Sequence, residues 1–498
     1  MRFVRLFTFF AATCFAASAC RSPVASPAPS TGSVGASAAL RAAIDSLADA
    51  PAFANAHWGI LIVDPASGDT LYSRNAGKLF MPASNMKILT SATALAQLGA
   101  DYRFRTTFAA RGNISGGTLS GDLLITGRGD PSVSDHMLRD AMIPLRLIAD
   151  SIAARGVRHL TGRVIASGDA FPGEVLGYGW SYDDFEDSYS APTDELLFNE
   201  GFSEIRVRGG ERPGDPIQAD VRPAKSFPVV HVLATTGAPA ADSAHRHVNT
   251  LRAKKDSTTW EVTLEGQIAP RDTATIEVTH HDPDGAYVAA VREALRERGI
   301  TIDDAATDTT AVVAPLATLS SPPLSEILKA LMKPSQNQIA EMLFRTVALE
   351  RTGVGSGDSA RTFIGRQLTQ WGAAVPSEAV VRDGSGLSRY DYISPRTVVH
   401  VLDAMRRAPT FQAYYDALPI GGVDGTIRNR MKGTPAQGNV HAKTGSVALA
   451  RSLSGYVTTA NQKMLIFSFL CNNWTVPVRD VERVQDAIAA RLASMRVP

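Results

Sequence analysis

Pro82-Ala83-Ser84-Asn85-Met86-Lys87 is the stretch on which the reading of this sequence turns. Behind it an apolar period runs through Ile88, Leu89, Leu95 and Leu98 and stops near Gly99, predicting a helix that begins at Ser84. Positions i and i+3 of a helix share a face, so the Lys87 amine can reach Ser84 Oγ. The helix N-terminus also offers backbone N–H groups to a developing oxyanion. Alone, Ser-x-x-Lys is a weak signal, because a capping serine followed by a solvated lysine matches it equally well. Two further motifs follow in order, Ser335-Gln336-Asn337 and Lys443-Thr444-Gly445. Together the three supply a serine, two lysines and an amide, the parts of an acyl-transfer site that uses lysine as its base.

Each part has an expected task. Lysine acts as a base only when neutral, and both burial and a nearby cation lower its pKa; Lys443 is the candidate cation for Lys87. Ser335 follows Pro334 at a helix edge, where its hydroxyl can relay a proton to a leaving amine while Asn337 hydrogen-bonds a substrate amide. Ser73-Arg74-Asn75 matches Ser-x-Asn as well and is read as coincidence within a hairpin. Gly445 would let a peptide lie close to the strand that Lys443 opens. The hydroxyls of Thr444 and Ser446, with Lys443, suit a terminal carboxylate. The backbone N–H groups of Ser84 and Ser446 are the candidate oxyanion hole. His441 is read as structural, since Lys87 fills the base role.

Outward from the motifs, Arg2 and Arg5 precede the apolar run Leu6–Ala17, which ends in Ala17-Ser18-Ala19: an export signal over residues 1–19. Ala17-Ser18-Ala19-Cys20 also resembles a bacterial lipobox, making Cys20 a candidate for lipidation. Residues 20–38, rich in Pro, Ala, Ser and Gly, predict a flexible tether. A helix with Leu40, Ile44 and Leu47 on one face comes next, then a hairpin of Trp58–Val63 and Thr70–Ser73 around Pro65-Ala66-Ser67-Gly68. Over 102–278 short β-like runs alternate with Gly, Pro and Asp turns, predicting β-rich inserted material in two small domains. Helical periods resume at Tyr287–Arg298, Leu324–Met332 and Gln338–Leu349. A strand pair follows at Lys443 and at Leu465–Leu470, then a helix with Val481, Val484, Ile488 and Leu492 inward. The expected fold is therefore α/β (α+β): one domain from 39–101 and 279–498 whose two ends share a sheet, interrupted by the insertion.

A net charge of +1 on 498 residues gives no reason to expect a nucleic acid partner. Nothing beyond the N-terminus has the length of a transmembrane helix. Cys14 goes with the signal and Cys471 lies in an apolar run, so no disulfide framework is expected. No Cys/His spacing suggests a metal, His245 and His247 read as a polar loop, and no cofactor is implied.

The three motifs are joined by Gly127-Arg128-Gly129-Asp130-Pro131, Ser190-Ala191-Pro192, Asp383-Gly384-Ser385-Gly386-Leu387-Ser388-Arg389 and Gly422-Val423-Asp424-Gly425-Thr426. With these, and with the long gap between Ser84 and Ser335, the sequence resembles the class C low-molecular-mass penicillin-binding proteins over most of its length. That group, peptidase family S13, is the D-alanyl-D-alanine carboxypeptidase/endopeptidase group typified by penicillin-binding protein 4. The resemblance implies a DD-peptidase/β-lactamase-like transpeptidase domain and cleavage of peptidoglycan stem peptides after D-alanine. Ser84 would be the nucleophile, Lys87 the base, and β-lactams would acylate the same serine. It also implies a substrate contact for Arg389, and for Asp184 a place near the amine of a diaminopimelate side chain. Where the family often has Gln, two residues after Ser446, this chain has Ala448. The expected partners are peptidoglycan peptides and β-lactams, with membrane contact only through a lipid at Cys20; oligomeric state is not legible. A β-lactamase and a non-catalytic cell-wall protein are the rival readings. A Ser-His-Asp hydrolase fares worst, since no Gly-x-Ser-x-Gly elbow occurs.

Overall fold

A computed structural model describes residues 31–238, 249–256, 259 and 261–497. The expected export signal, Cys14, Cys20, the first part of the expected tether and the pair His245/His247 lie outside the described residues. Where the tether was expected to continue to residue 38, the chain is helical over Thr31–Ala48. No proline follows Pro29 in this stretch. The turn anchored by Leu40 and Ile44, both buried, can therefore propagate backward at one hydrogen bond per added residue.

The two ends of the chain meet in one antiparallel sheet. Its strands lie in the order His441–Val447, Ala450–Thr458, Met464–Asn472, His57–Asp64, Asp69–Arg74. His57 stands opposite Asn472 and Val63 opposite Ile466, so the first strand of the chain is hydrogen-bonded along its length to the last. Apart from Ser468, Leu465–Leu470 is apolar without alternation because this strand is covered on both faces. On one face Leu40, Ile44, Val481, Val484, Ile488 and Leu492 of the helices Thr31–Ala48 and Val478–Ser494 pack on Ile60, Ile62, Leu453 and Phe467. On the other lie the helices Met86–Leu98, Leu324–Met332, Asn337–Thr352 and Pro395–Arg406.

The insertion is larger and more helical than its sequence texture predicts. Its first lobe is a sheet of Thr301–Ile302, His159–Leu160, Thr118–Thr126, Arg105–Ser115 and Val313–Ser320, with Val164–Ala166 also paired to Thr118–Thr126. The helices Met142–Ala154 and Pro283–Glu297 cover it through Leu145, Ile148, Ala290, Val291 and Leu295. The chain therefore returns to the terminal sheet's domain after Ser320, not at 279, and the helical period at Tyr287–Arg298 belongs to the insertion. Periodicity marks a helix but not the sheet it covers; the pairing of Val313–Ser320 with Arg105–Ser115 decides that, and it is non-local. A second lobe packs the strands Phe202–Arg208, Gln218–Arg222 and Thr273–Thr279 against Val230–Val232, Arg252–Lys255 and Val262–Glu265 around Ile205, Val207, Val262, Leu264 and Ile268. Between the lobes, residues 168–201 run across the front of the domain built on the terminal sheet in turns, among them Tyr182–Asp184 and Ser188–Ser190.

Candidate active site

Ser84 sits in a single 3₁₀ turn, Ala83–Asn85, that opens directly into the helix Met86–Leu98. Three residues of the terminal sheet pin this turn. Asn85 Nδ2 donates to the Lys443 carbonyl at 2.8 Å, Ser452 Oγ donates to the Pro82 carbonyl at 2.7 Å, and the Met81 N–H donates to Asn472 Oδ1 at 2.9 Å. Gly445 makes the approach possible. A Cβ there would stand 2.3 Å from the Pro82 oxygen and 3.0 Å from the Ser84 nitrogen. Its missing side chain thus admits the nucleophile's own turn, whereas the sequence assigned that space to a substrate peptide.

The three motifs converge on one cleft of about 860 Å³. Lys87 Nζ lies 2.9 Å from Ser84 Oγ, 2.6 Å from Asn337 Oδ1 and 2.7 Å from the Ser385 carbonyl oxygen. Lys443 Nζ lies 2.7 Å from Ser335 Oγ and 2.9 Å from the Thr444 carbonyl oxygen. Ser335 is held at φ +73°, a left-handed conformation that costs a non-glycine residue on the order of 1 kcal/mol or more and aims its hydroxyl at Lys443. Just after it, Gln336 caps the helix Asn337–Thr352 by accepting from the Gln338 N–H. Asn337, expected to receive a substrate amide, is engaged at both ends, since its Nδ2 donates to the Tyr189 carbonyl at 2.7 Å. Thr444 and Ser446 line the cleft, with Thr444 Oγ1 2.7 Å from Thr426 Oγ1. Asp184, with Asp183 and Tyr189 of the crossing segment, lines one side, and Arg389 lines it with Gly386 and Leu387. Asp184 Oδ1 accepts from the Tyr189 hydroxyl at 2.8 Å. Ala448 also lines the cleft, together with Arg451 and Glu482, which are ion-paired. His441 stacks on Tyr415 at 3.9 Å between ring centroids. The motif copy at Asn75 serves the hairpin, its Nδ2 donating to the Trp58 carbonyl.

Both lysines are fully buried. Burial lowers the Lys87 pKa to about 7, and the nearby carboxylates of Asp383, Glu341 and Asp391 work against that fall. Burial, and after it Lys87, holds Lys443 well below its ordinary value. The expectation that Lys443 tunes Lys87 as a cation therefore needs correction. Lys443 is itself driven toward the neutral form, and desolvation is what brings Lys87 into the range of a working base.

Sequence reasoning passed over two parts of this arrangement. One is the Ser385 carbonyl, third acceptor of the Lys87 amine; its loop was quoted only as a family signature. The other is Glu341, buried one helical turn beyond Asn337 and bonded to the N–H groups of Gly384 and Ser385. An i, i+4 reading from Asn337 would have put Glu341 on the face that meets Lys87.

Residues 40–495 match the model of the D-Ala-D-Ala carboxypeptidase 3 (S13) family. Among curated relatives, the D-alanyl-D-alanine carboxypeptidase of Actinomadura sp. (strain R39) is 36% identical over 496 residues, 94% of this chain and 87% of the relative. The D-alanyl-D-alanine carboxypeptidase DacB of Haemophilus influenzae is 26% identical over 416 residues, 80% of this chain and 82% of the relative. Among solved structures, penicillin binding protein 4 of Haemophilus influenzae superposes with a TM-score of 0.75 at 22% identity, over 91% of this chain and 99% of that one, a likeness of fold. The same protein has also been solved in complex with a β-lactam. The match over nearly the whole chain and the identity to the Actinomadura protein have one reading: this chain belongs to the D-Ala-D-Ala carboxypeptidase 3 (S13) family.

Proposed function

We infer that the protein is a serine D-alanyl-D-alanine carboxypeptidase, open to a DD-endopeptidase role, that acts on peptidoglycan stem peptides through an acyl-enzyme and is acylated by β-lactams. The observation that carries this reading is Lys87, buried, brought to a pKa of about 7 and 2.9 Å from Ser84 Oγ. Neutral Lys87 takes the Ser84 proton as Oγ attacks the carbonyl carbon of the penultimate D-alanine. The oxyanion is received by the backbone N–H groups of Ser84 and Ser446. The C–N bond breaks, and Ser335, hydrogen-bonded to Lys443, hands a proton to the departing amine and takes in its place the proton that Lys87 drew from Ser84, which leaves Lys87 neutral again. Water then hydrolyses the ester, restoring Ser84. Lys443, Thr444 and Ser446 take the terminal carboxylate. Asp184 and Arg389 both line the cleft, where a side chain bearing both an amine and a carboxylate suits them. Export to the envelope is part of the proposal, carried by the sequence of residues 1–19.

The test is an intact-mass time course of the mature protein with benzylpenicillin, beside Ser84→Ala. A lasting adduct of one penicillin on the wild type alone is expected. An adduct that decays while penicillin is consumed would make the protein a β-lactamase, and no adduct at any time would leave a non-catalytic protein of this fold.

A further inference from the structure

Three groups surround the Lys87 amine, and two of them trace back to one helix. Asn337 Oδ1 contacts it directly. One turn later on the same face, Glu341 is buried with its carboxylate against the loop Asp383–Leu387. Its Oε1 accepts from the N–H groups of Gly384 at 3.0 Å and Ser385 at 2.8 Å, and its Oε2 accepts from Gly384 at 3.2 Å. The next peptide unit of that loop presents the Ser385 carbonyl to Lys87 Nζ at 2.7 Å, and its N–H, from Gly386, donates to Asp383 Oδ1 at 2.7 Å.

The loop has no room to find this place by itself. Opposite Glu341 it abuts the nucleophile turn, where a Cβ on Gly386 would stand 1.9 Å from the Ala83 carbonyl oxygen. Thr90 Oγ1, on the helix that carries Lys87, donates to the Gly384 carbonyl at 2.7 Å. The segment Gly384–Gly386 is thus a spacer wedged between two helices, and Glu341 is its anchor on the far side. A neutral amide could accept from these donors through one oxygen only, whereas the carboxylate offers both. Burial, and after it Asp383, raises the Glu341 pKa to about 8 while the Ser385 and Gly384 amides pull it down, so a carboxyl group kept at this place beside the base asks for a role in the site.

We propose that Glu341 is a positioning residue for the acylation step: through the amides of Gly384 and Ser385 it fixes the Ser385 carbonyl and so holds the Lys87 amine on Ser84 Oγ. This rests on the Ser84–Lys87 acyl-transfer reading above. Glu341 touches neither substrate nor the reacting atoms. Its effect falls on the chemical step, because misplacing a reacting group by about 1 Å costs on the order of 100-fold in rate. Capture of ligand by Lys443, Thr444 and Ser446 on the opposite strand is left alone.

Glu341→Gln and Glu341→Asp, beside wild type and Ser84→Ala, test this with benzylpenicillin. Active-site titration gives the acylable fraction, and rapid mixing over a concentration series separates the maximal acylation rate from the half-saturating concentration. Both variants are expected to keep the half-saturating concentration within about 2-fold and to lose about 10- to 100-fold in maximal rate per acylable site. An unchanged maximal rate per acylable site, with loss only in the acylable fraction, would show a purely structural residue and overturn the proposal. A loss carried by the half-saturating concentration would overturn it too. Should Glu341→Gln not fold, Glu341→Asp carries the same test, since it keeps the carboxyl group and withdraws the contact. If wild type takes up no penicillin at Ser84, the acyl-transfer reading itself falls; if wild type is acylated and the variants match it, only the role of Glu341 falls.

Discussion

The cleft contains two serine–lysine pairs that look alike and differ in what stands behind them. In each the amine is fully buried and under 3 Å from a hydroxyl: Lys87 with Ser84 at 2.9 Å, Lys443 with Ser335 at 2.7 Å. Behind Lys87 lie Glu341, Asp383 and Asp391, and these carboxylates halt its fall at about 7. Behind Lys443 the nearest charge is Lys87, and its pKa goes well below the ordinary value. Burial makes both lysines poor cations, and the carboxylates bring one of them back to the pH where it can both take and return a proton. Lys443 awaits its counter-charge from outside. In the reading proposed above, an arriving anionic substrate group would favour its ammonium form, which would join recognition of a carboxylate to uptake of a proton.

The contrast can be broken by experiment. Lys87→Met is expected to lower the penicillin acylation rate by about 1000-fold, the scale of a lost general base, read by stopped flow on folded protein. An equal loss in Lys443→Met would erase the distinction between the pairs. For Lys443→Met the expectation is a loss of about 10- to 100-fold on peptides with a free terminal carboxylate, from a charge-assisted contact worth about 1.5–3 kcal/mol, and a smaller loss on the same peptides as terminal amides. Calorimetry of a non-reactive carboxylate ligand in buffers of different ionisation heat should show proton uptake on binding at pH 8; none would mean that Lys443 is already charged. The pH profile sharpens the other half. Protonated Lys87 cannot take the Ser84 proton, so acylation should be slow in acid, rise by up to about 10-fold per pH unit, and level off above about pH 7. Gly445→Ala should destabilise the protein by about 1–3 kcal/mol, read as a fall in Tm, as its Cβ forces the Ser84 turn off the sheet.

Asp391→Asn gives the smallest effect. Asp391 is fully buried beside Asp383, and burial and that neighbour raise its pKa far above the usual carboxylate range. It is also the last of the three groups that oppose the fall of the Lys87 pKa, so an isosteric amide should change stability by less than about 1 kcal/mol and shift the acid limb only slightly.

What was legible in the sequence follows from how local each signal is. Ser84 and Lys87 declare themselves because one helical turn relates them. Four strands of the terminal sheet were legible because they carry period-2 or continuous apolar runs next to turn signals, whereas Ala450–Thr458, which lies between His441–Val447 and Met464–Asn472, was not assigned. The extent of the insertion was not: Pro283–Glu297 reads as any amphipathic helix, and only its packing on Met142–Ala154 assigns it. Burial of Lys87 was foreseen, but the charges that oppose its effect were not, since Asp383 and Asp391 come from a loop that in sequence looks like a glycine-rich turn. Glu341 looked like one more charge on a helix, and its burial depends on a loop some forty residues away.

The pinning of the Ser84 turn bears on when the enzyme can first work. Met81, Asn85 and Pro82 are fastened to Asn472, Lys443 and Ser452 across 391, 358 and 370 residues of chain. Contacts so distant form late in folding and only after synthesis has delivered the final strands. A chain still emerging from the ribosome holds its nucleophile in an unsupported segment and has no second lysine at all. Catalytic competence therefore awaits the strands that carry Lys443, Ser452 and Asn472, and a nascent form that still lacks them holds an incomplete site.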